Sequence, residues 1–599
     1  MTPRLFFLSP SAVRARGNTP TPAMEEIPPH PEDEAQALPA HTRRSFFGKA
    51  TAAIIAFHNR RLIGQTAEDS VPTNSPHKTQ SAPSANPAAA MPDRLERAFL
   101  IRKQAAETSR RLPVRKPPVL ENDEERRYPN RIASFSKGLP HNDLGEVHLP
   151  AYLALSKAIS SGKSEDFESV PLGGELMLVN PLAAHAFTLE GCDACQIEIA
   201  EPPPFASAEM AAEAVELYWQ ALARDEAFAD YSKSEIIAQA AEDIGSRYRD
   251  SYHGPNDAAG TITPAQIFRD TSVGSLAGPY LSQFLWMDVP YGATTITQRY
   301  KVAVAGEDFL IDRESLLRNQ RGRLPIDAIH FDPEPRYLRT GRDLAEYVHR
   351  CFLYQEFLNA ALILAGANYA RYELRAPLSP FNPYADSLTQ KGFITFGTAH
   401  VLELIARATA LATRIGWYQK WLLFRKLRPE AFGLRVHNQM TALAKYPIHD
   451  SLFSSPVLLQ THQKYGTWLL PQAYPEGCPA HPAYPAGHAV GPGAAATILK
   501  AFFDETAELP KPVQPSSDGR KLNPYTGGER LTVGGEVNKL ATNIAFGRGF
   551  AGIHWRSDST EGLRSGERAA IAVLRDWKAA CVENPKFRFT SFDGQKIVI

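Results

Sequence analysis

The chain is poor in several things, and each scarcity excludes a class of protein. Five cysteines in 599 residues cannot build a disulfide scaffold. No stretch of apolar residues is long enough to span a bilayer, so no transmembrane helix is expected. Neither charge sign is in excess: 65 Lys+Arg face 65 Asp+Glu, which removes the basic surplus of a nucleic-acid binder and the acidic surplus of a solvating tail. Strand-like runs are few and short, GELMLV at 174–179 and the C-terminal KIVI being the clearest. The remaining composition, 43% hydrophobic and 22% charged, is that of a globular enzyme.

Proline is plentiful but unevenly placed. Thirteen of the 48 prolines lie in the first 92 residues, among Ala, Ser, Thr and Glu, a mixture that buries too little apolar surface to offset chain entropy. Residues 1–95 therefore read as a disordered leader, and 96–599 as one large domain. Within the leader, Thr42-Arg43-Arg44-Ser45-Phe46-Phe47-Gly48-Lys49 and the ATAAIIAF that follows resemble a twin-arginine export signal, which places the protein in the periplasm or outside the cell; without export it is cytoplasmic. Cys192 and Cys195 form a CxxC without a second pair or clustered histidine, so a loop disulfide is expected rather than zinc.

The body has a helical period. The segments 208–228, 340–367 and 398–427 are long and rich in Ala, Leu and Glu, with apolar residues three to four apart, and 494–503 and 567–580 look similar. With no repeat of fixed length, the expected fold is mainly α, one large helical bundle with few short strands.

Three short segments carry the chemistry. In the first, Lys420 and Arg428 are eight residues apart, which on a continuous helix is about 80° of rotation and about 12 Å of rise, so two long cations can converge on one small ligand. Pro429 disfavours helix at Arg428 and leaves its side chain free to turn inward. The second, His481-Pro-Ala-Tyr-Pro-Ala486-Gly487-His488, is a constrained loop opening a helix, where backbone N–H groups and a positive dipole end suit an anion, beside two histidines suited to proton transfer. In the third, Arg548 and His554 would lie on different faces of a continuous helix, but Gly549 and Gly552 between them predict that the chain turns back, so both can face one site. Asp558, one turn after His554, is placed to orient Arg548 or to cap the next helix.

Each segment alone reads as plainly as a basic helix end, a Pro-rich turn or a Gly-rich corner. In order, however, Lys-x7-Arg-Pro, Pro-Ala-Gly-His and Arg-x5-His-x3-Asp resemble the signature of the vanadium-dependent haloperoxidases and the related acid phosphatase/phosphatidate phosphatase superfamily. The seven-residue spacing matches the algal-type bromoperoxidases, the phosphatase pattern being one residue shorter. GPYLSQFLWMDVPYGATTITQRY (278–300), LAEYVHRCFLYQEFLNAALIL (344–364) and RLTVGGEVNKLATNIAFGR (530–548) extend the similarity over about residues 200–565.

The resemblance implies one vanadate per subunit, bonded to the protein only through His554. Lys420, Arg428 and Arg548 match the cations around its oxygens, and the Gly487 N–H matches another oxyanion contact. His488 matches the histidine that exchanges protons as peroxide binds, and Lys420 the group that draws charge from the peroxide. His481 and Trp417 match residues beside the halide. The implied reaction oxidises bromide or iodide with hydrogen peroxide to hypohalous acid, which halogenates a small organic acceptor. The implied assembly is a homo-oligomer, a dimer or larger; a structural calcium is left open. The family's loop reads Pro-Ser-Gly-His, and Ala486 here lacks that serine hydroxyl. Two alternatives follow: a phosphomonoester hydrolase acting through a phosphohistidine at His554, and an oxyanion-binding relative inactivated at Ala486.

Overall fold

The structure, a computed structural model, describes residues 87–599 apart from 258 and 367–375. The twin-arginine motif and nearly all of the leader lie outside the described residues. Helix α1 (Pro87–Arg111) starts inside the stretch read as leader; its last turn holds Arg110 and Arg111, where cations meet the negative end of the helix dipole.

The helices that matter for the site are α2 (Ala208–Leu222), α3 (Gly341–Arg350), α4 (Gln355–Ala365), α5 (Thr398–Tyr418), α6 (Pro429–Met440), α7 (Gly487–Phe502), α8 (Val533–Phe550) and α9 (Arg556–Ala580). Among the described residues, strands are confined to three two-stranded antiparallel ribbons: β1 (Val289–Tyr291) with β2 (Thr294–Ile296), β3 (Val513–Pro515) with β4 (Leu522–Pro524), and β5 (Arg588–Thr590) with β6 (Lys596–Val598). The expected mainly-α bundle is thus observed, and the KIVI run forms a strand. The run 174–179 does not. Its amides reach separate loops, Leu176 the Gly322 carbonyl and Val179 that of Ala480, so no ladder forms. Among the described residues no helix is long and apolar enough to cross a membrane.

At the centre α7 packs against α5, α8 and α9. Its sequence explains the closeness of α9. A Cβ added at Gly493 would overlap the Leu563 carbonyl, and one added at Gly566 would overlap that of Val490, so backbone meets backbone where a side chain would hold the helices apart. Larger apolar residues fill the remaining core: Val490, Ile498, Leu499, Leu540, Ile544, Leu563 and Val573 are buried. Loss of water contact by such side chains contributes about 1.5–3 kcal/mol each.

Two long helical stretches break where periodicity alone predicts continuity. The segment 340–367 divides into α3 and α4. Cys351 turns extended, the Phe352 amide meets the Gln355 side chain, and Phe352 and Leu353 go to the surface. The segment 398–427 leaves α-geometry at Gln419, passes through one π-helical turn to Phe424, and ends at Arg425 in the left-handed region, φ 41°. The Arg425 guanidinium grips the buried Glu125 carboxylate at 2.6 and 2.7 Å, which holds that exit in place.

The thiols of Cys192 and Cys195 are both free, so the expected loop disulfide is absent. Asp193 caps a short turn over Ala194–Gln196 by accepting the Cys195 amide, and that turn fixes the segment without a covalent link.

Candidate active site

Lys420 lies on the π turn, a local widening that re-aims side chains and recurs at functional sites. Its Nζ donates to the carbonyls of Pro482 and Ala483 at 2.8 and 2.7 Å. Arg428 is extended (φ −81°, ψ 150°) as the N-cap of α6, with Pro429 in the first turn. The residue before proline is therefore turned inward as expected, but because the preceding helix has already ended, not because one helix carries both cations. Its Nε donates to the His481 carbonyl and its Nη1 to that of Ile553, both at 2.9 Å. His481 and Trp417 stand with ring centroids 4.9 Å apart, and Lys420 Nζ lies 5.9 Å from the Trp417 ring.

The loop and the corner complete the pocket. Gly487 and His488 open α7 directly after Ala486, whose amide donates to the Asp558 carbonyl and ties the loop to α9. A Cβ on Gly487 would stand 3.5 Å from the Trp417 ring. Helix α8 stops after Phe550, Gly552 adopts φ 82°, and α9 begins at Arg556. The reversal expected from the two glycines between Arg548 and His554 falls at Gly552 alone, Gly549 remaining within α8.

The hydrogen-bond roles at His554 follow by elimination. Arg428 Nη1 lies 2.9 Å from His554 Nε2, and a guanidinium can only donate. Nε2 therefore presents a lone pair and Nδ1 carries the proton, which goes to Asp558 Oδ2 at 2.7 Å. The same oxygen accepts the Trp555 amide at 3.0 Å. Asp558 thus caps α9 and orients His554. It does not orient Arg548, whose Nη1 donates to the Val348 carbonyl at 2.8 Å and whose guanidinium faces Tyr474 at 5.6 Å.

Charge is the unusual quantity here. Lys420, Arg428 and Arg548 are 0, 1 and 6% exposed, and none has an ion-pair partner among the described residues; the carboxylate of the site, Asp558, is engaged by His554. Burial, then Arg428 nearby, holds the Lys420 ammonium well below its usual range. Burial and the same cations hold His481, His488 and His554 well below theirs, so all three imidazoles are neutral at neutral pH. Burial lifts the Asp558 carboxyl to about 6, against the pull of Lys420. The Nε of Arg548 and Oδ1 of Asp558 are buried without a partner. Three cations against one carboxylate, beside an imidazole and an opened helix N-terminus, suit a small oxyanion with several negative charges.

Of the residues singled out in the three segments, Arg428 joins His481 and His554 by hydrogen bonds, Trp417 stands against His481, and Asp558 holds His554. The sequence did not disclose the acceptors that aim the cations, which are the carbonyls of Val348, Pro482, Ala483 and Ile553, because a backbone carbonyl has no residue-type signal. Nor did it disclose Tyr474, on which His349 stacks at 3.9 Å. His349 is bound by Glu476 at 2.6 Å and Glu346 at 3.2 Å. Glu346 and His349, three apart on α3, were the available hint.

The fold is a helical bundle with buried cations gathered at one site, and known proteins share the fold. A family model described as the VCPO second helical-bundle domain matches residues 459–581. A vanadium-dependent bromoperoxidase of Ascophyllum nodosum is 37% identical over 487 residues, covering 78% of this chain and 86% of that protein. One from Corallina pilulifera is 33% identical, over 86% of this chain and all of its own length. The homohexameric structure of a second vanadate-dependent bromoperoxidase from Ascophyllum nodosum superposes with a TM-score of 0.78 at 28% identity, over 89% of this chain and 94% of that one. The chain belongs to the vanadium-dependent bromoperoxidase family.

Proposed function

We propose that the pocket holds one vanadate, with His554 Nε2 as the ligand to the metal, Lys420, Arg428 and Arg548 around its oxygens, and the Gly487 N–H as a further donor. The observation that carries this is the set of three buried cations without ion-pair partners among the described residues, one of them, Arg428, donating to the imidazole lone pair of His554. The protein is an enzyme of the vanadium bromoperoxidase type, oxidising halide with hydrogen peroxide to hypohalous acid. When bound, vanadate supplies a Lewis acid that activates peroxide toward halide without changing its own oxidation state.

The chain's own residues do the rest. Asp558 fixes the His554 tautomer, so the coordinating nitrogen always faces the pocket. The carbonyls bound by Lys420 and Arg428 hold both cations in position before any ligand arrives, which lowers the reorganisation needed at reaction. His488, with no hydrogen bond from its ring to another residue among the described ones and kept neutral by burial and by Arg548, is free to accept and return a proton. His481 and Trp417 wall the side where halide approaches. Ala486, fully buried at the N-cap of α7, supplies no hydroxyl, so the oxyanion is held by the remaining contacts.

Assaying bromide oxidation and phosphomonoester hydrolysis in parallel on vanadate-loaded protein tests this reading. We expect bromination that requires both peroxide and vanadate and that phosphate inhibits; hydrolysis without bromination overturns it, and so does the absence of both. Twin-arginine export is proposed from residues 42–49 and would appear as loss of the leader from periplasmic protein. A homo-oligomer is supported by the homohexameric relative and is checked by sedimentation.

A further inference from the structure

The charges beside Arg548 include a cluster that the three cations of the pocket do not explain. His349, near the end of α3, lies between two carboxylates: its Nε2 is 2.6 Å from Glu476 Oε1 and its Nδ1 is 3.2 Å from Glu346 Oε2. Arg350 Nε also donates to Glu346, at 2.8 Å. A carboxylate only accepts, so both ring nitrogens carry protons and His349 is an imidazolium. Burial works against that charge, but Glu346 and Glu476 together outweigh it and hold the ring above its ordinary range. Against burial of its own, Glu476 is held below the usual carboxyl range by His349.

The cluster reaches the pocket through Tyr474 and α3. The His349 ring lies flat on Tyr474, centroids 3.9 Å apart at 13°, and the Arg548 guanidinium is 5.6 Å from the same phenol ring. Arg548 Nη1 donates to the carbonyl of Val348, the residue before His349. Burial does most to keep the His488 imidazole neutral, then Arg548, Lys420 and Arg428, and the charge of His349 adds to them. The loop that carries Glu476 is fastened by other bonds. Lys137 Nζ donates to the carbonyls of Glu476 and Cys478 at 2.7 and 2.6 Å, Glu430 accepts the Cys478 amide at 2.7 Å, and the Tyr474 hydroxyl donates to the Ala345 carbonyl. The imidazolium is therefore not what folds this loop; it contributes charge. Arg350 balances Glu346 and His349 balances Glu476, so without the His349 proton the cluster carries one net negative charge.

Resting on the vanadate reading of the pocket, we propose that His349 is a positioning residue for oxyanion binding: its imidazolium cancels the Glu476 carboxylate beside Tyr474 and Arg548, and anion affinity falls as the ring loses its proton on the alkaline side of neutrality. The charged and titratable groups around it are Glu346 and Arg350 on α3, Tyr474 and Glu476 on the loop, Arg548 on α8 and His488 on α7. The sign follows from the direction of the His349 shift. A group held above its ordinary range contributes in full below that range, and the contribution is lost as pH rises through its folded value.

Calorimetric titration of vanadate into vanadate-free protein, between about pH 6 and pH 9, tests this without an activity assay. Any titration of vanadate or of Lys420 is shared by native and variant proteins, so the ratio of their affinities at each pH isolates His349. His349→Gln leaves the Glu476 charge uncancelled. It should weaken vanadate about tenfold near the acid end, the scale of one unit charge in an interior that screens poorly, and the deficit should close as native His349 loses its proton. Adding Glu476→Gln removes the uncancelled charge and should restore the affinity lost near the acid end. Glu476→Gln alone, at a half-exposed side chain, should bind vanadate more tightly than native protein at the alkaline end, and it serves where His349→Gln does not fold. A deficit equal at every pH, no deficit in His349→Gln, or a folded double variant that fails to recover overturns the proposal while the vanadate site stands. Native affinity throughout in Glu476→Gln does the same. Native protein that binds no vanadate at any pH overturns the reading of the pocket, and the role of His349 with it.

Discussion

Ala486 and Asp558 sit on either side of one hydrogen bond, from the Ala486 amide to the Asp558 carbonyl, and small changes at each have separable effects. Ala486 is the N-cap of α7 and offers no side-chain acceptor to the helix. Ala486→Ser supplies one, and a serine N-cap is worth about 1 kcal/mol over alanine. If the hydroxyl turns instead to the oxyanion, the gain is about 1.5–3 kcal/mol of binding. Thermal unfolding of vanadate-free protein and vanadate titration followed by recovered activity distinguish the two, and we expect tighter vanadate binding by about tenfold or more. Asp558→Asn keeps the shape but no longer enforces the Nδ1–H tautomer of His554. Loss of an outer partner of a metal-ligating histidine costs about 10–100-fold in affinity, and the same titration should show it, with circular dichroism unchanged.

Helix α7 sets the position of the loop it begins with, and α9 that of the corner it begins with; their register depends on the glycines that let their backbones touch. Gly493→Ala places a methyl against the Leu563 carbonyl. Overpacking of this kind costs about 1–3 kcal/mol, and because α9 must move, we expect a lower denaturant midpoint together with weaker vanadate binding. An equal loss of stability with undiminished affinity would show that the corner moves independently of α9. At this scale the sequence was legible in part. The periodicity of 398–427 foretold a helix that holds only to Tyr418, Gly552 foretold the reversal, and Pro429 foretold the extended Arg428. What could not be read was the π turn at Gln419–Phe424, which a distant partner, Glu125 gripping Arg425, holds, and the break at Cys351, where Gln355 meets the Phe352 amide, a local contact that apolar periodicity does not register. Among the site residues, side-chain identity was legible from motif order, but the carbonyls that aim the cations were not.

Over the whole molecule, equal numbers of cations and carboxylates conceal local imbalances of both signs. Glu356 is one: 2% exposed, with Oε1 unpartnered, its carboxyl is pushed up by burial to about 7. A carboxyl raised in the folded state contributes its stability in full below the unfolded value near 4.5 and loses it as pH rises through about 7. Glu356→Gln should therefore match the native protein near pH 4 and exceed it at pH 8 by up to about 3 kcal/mol in denaturant unfolding. The oxyanion pocket is the larger imbalance. Lys420, Arg428 and Arg548 repel one another in a medium that screens poorly, and the nearby Asp558 offsets that only in part, since Lys420 stays well below its usual range. Lys420→Met should thus raise the unfolding midpoint of the vanadate-free protein while removing vanadate binding, the outcome to be checked by denaturation in parallel with titration. The pocket's demand for an anion therefore has an evolutionary edge: in a setting without vanadate, mutations that blunt the site gain stability. Activity is the uphill direction and its loss the downhill one.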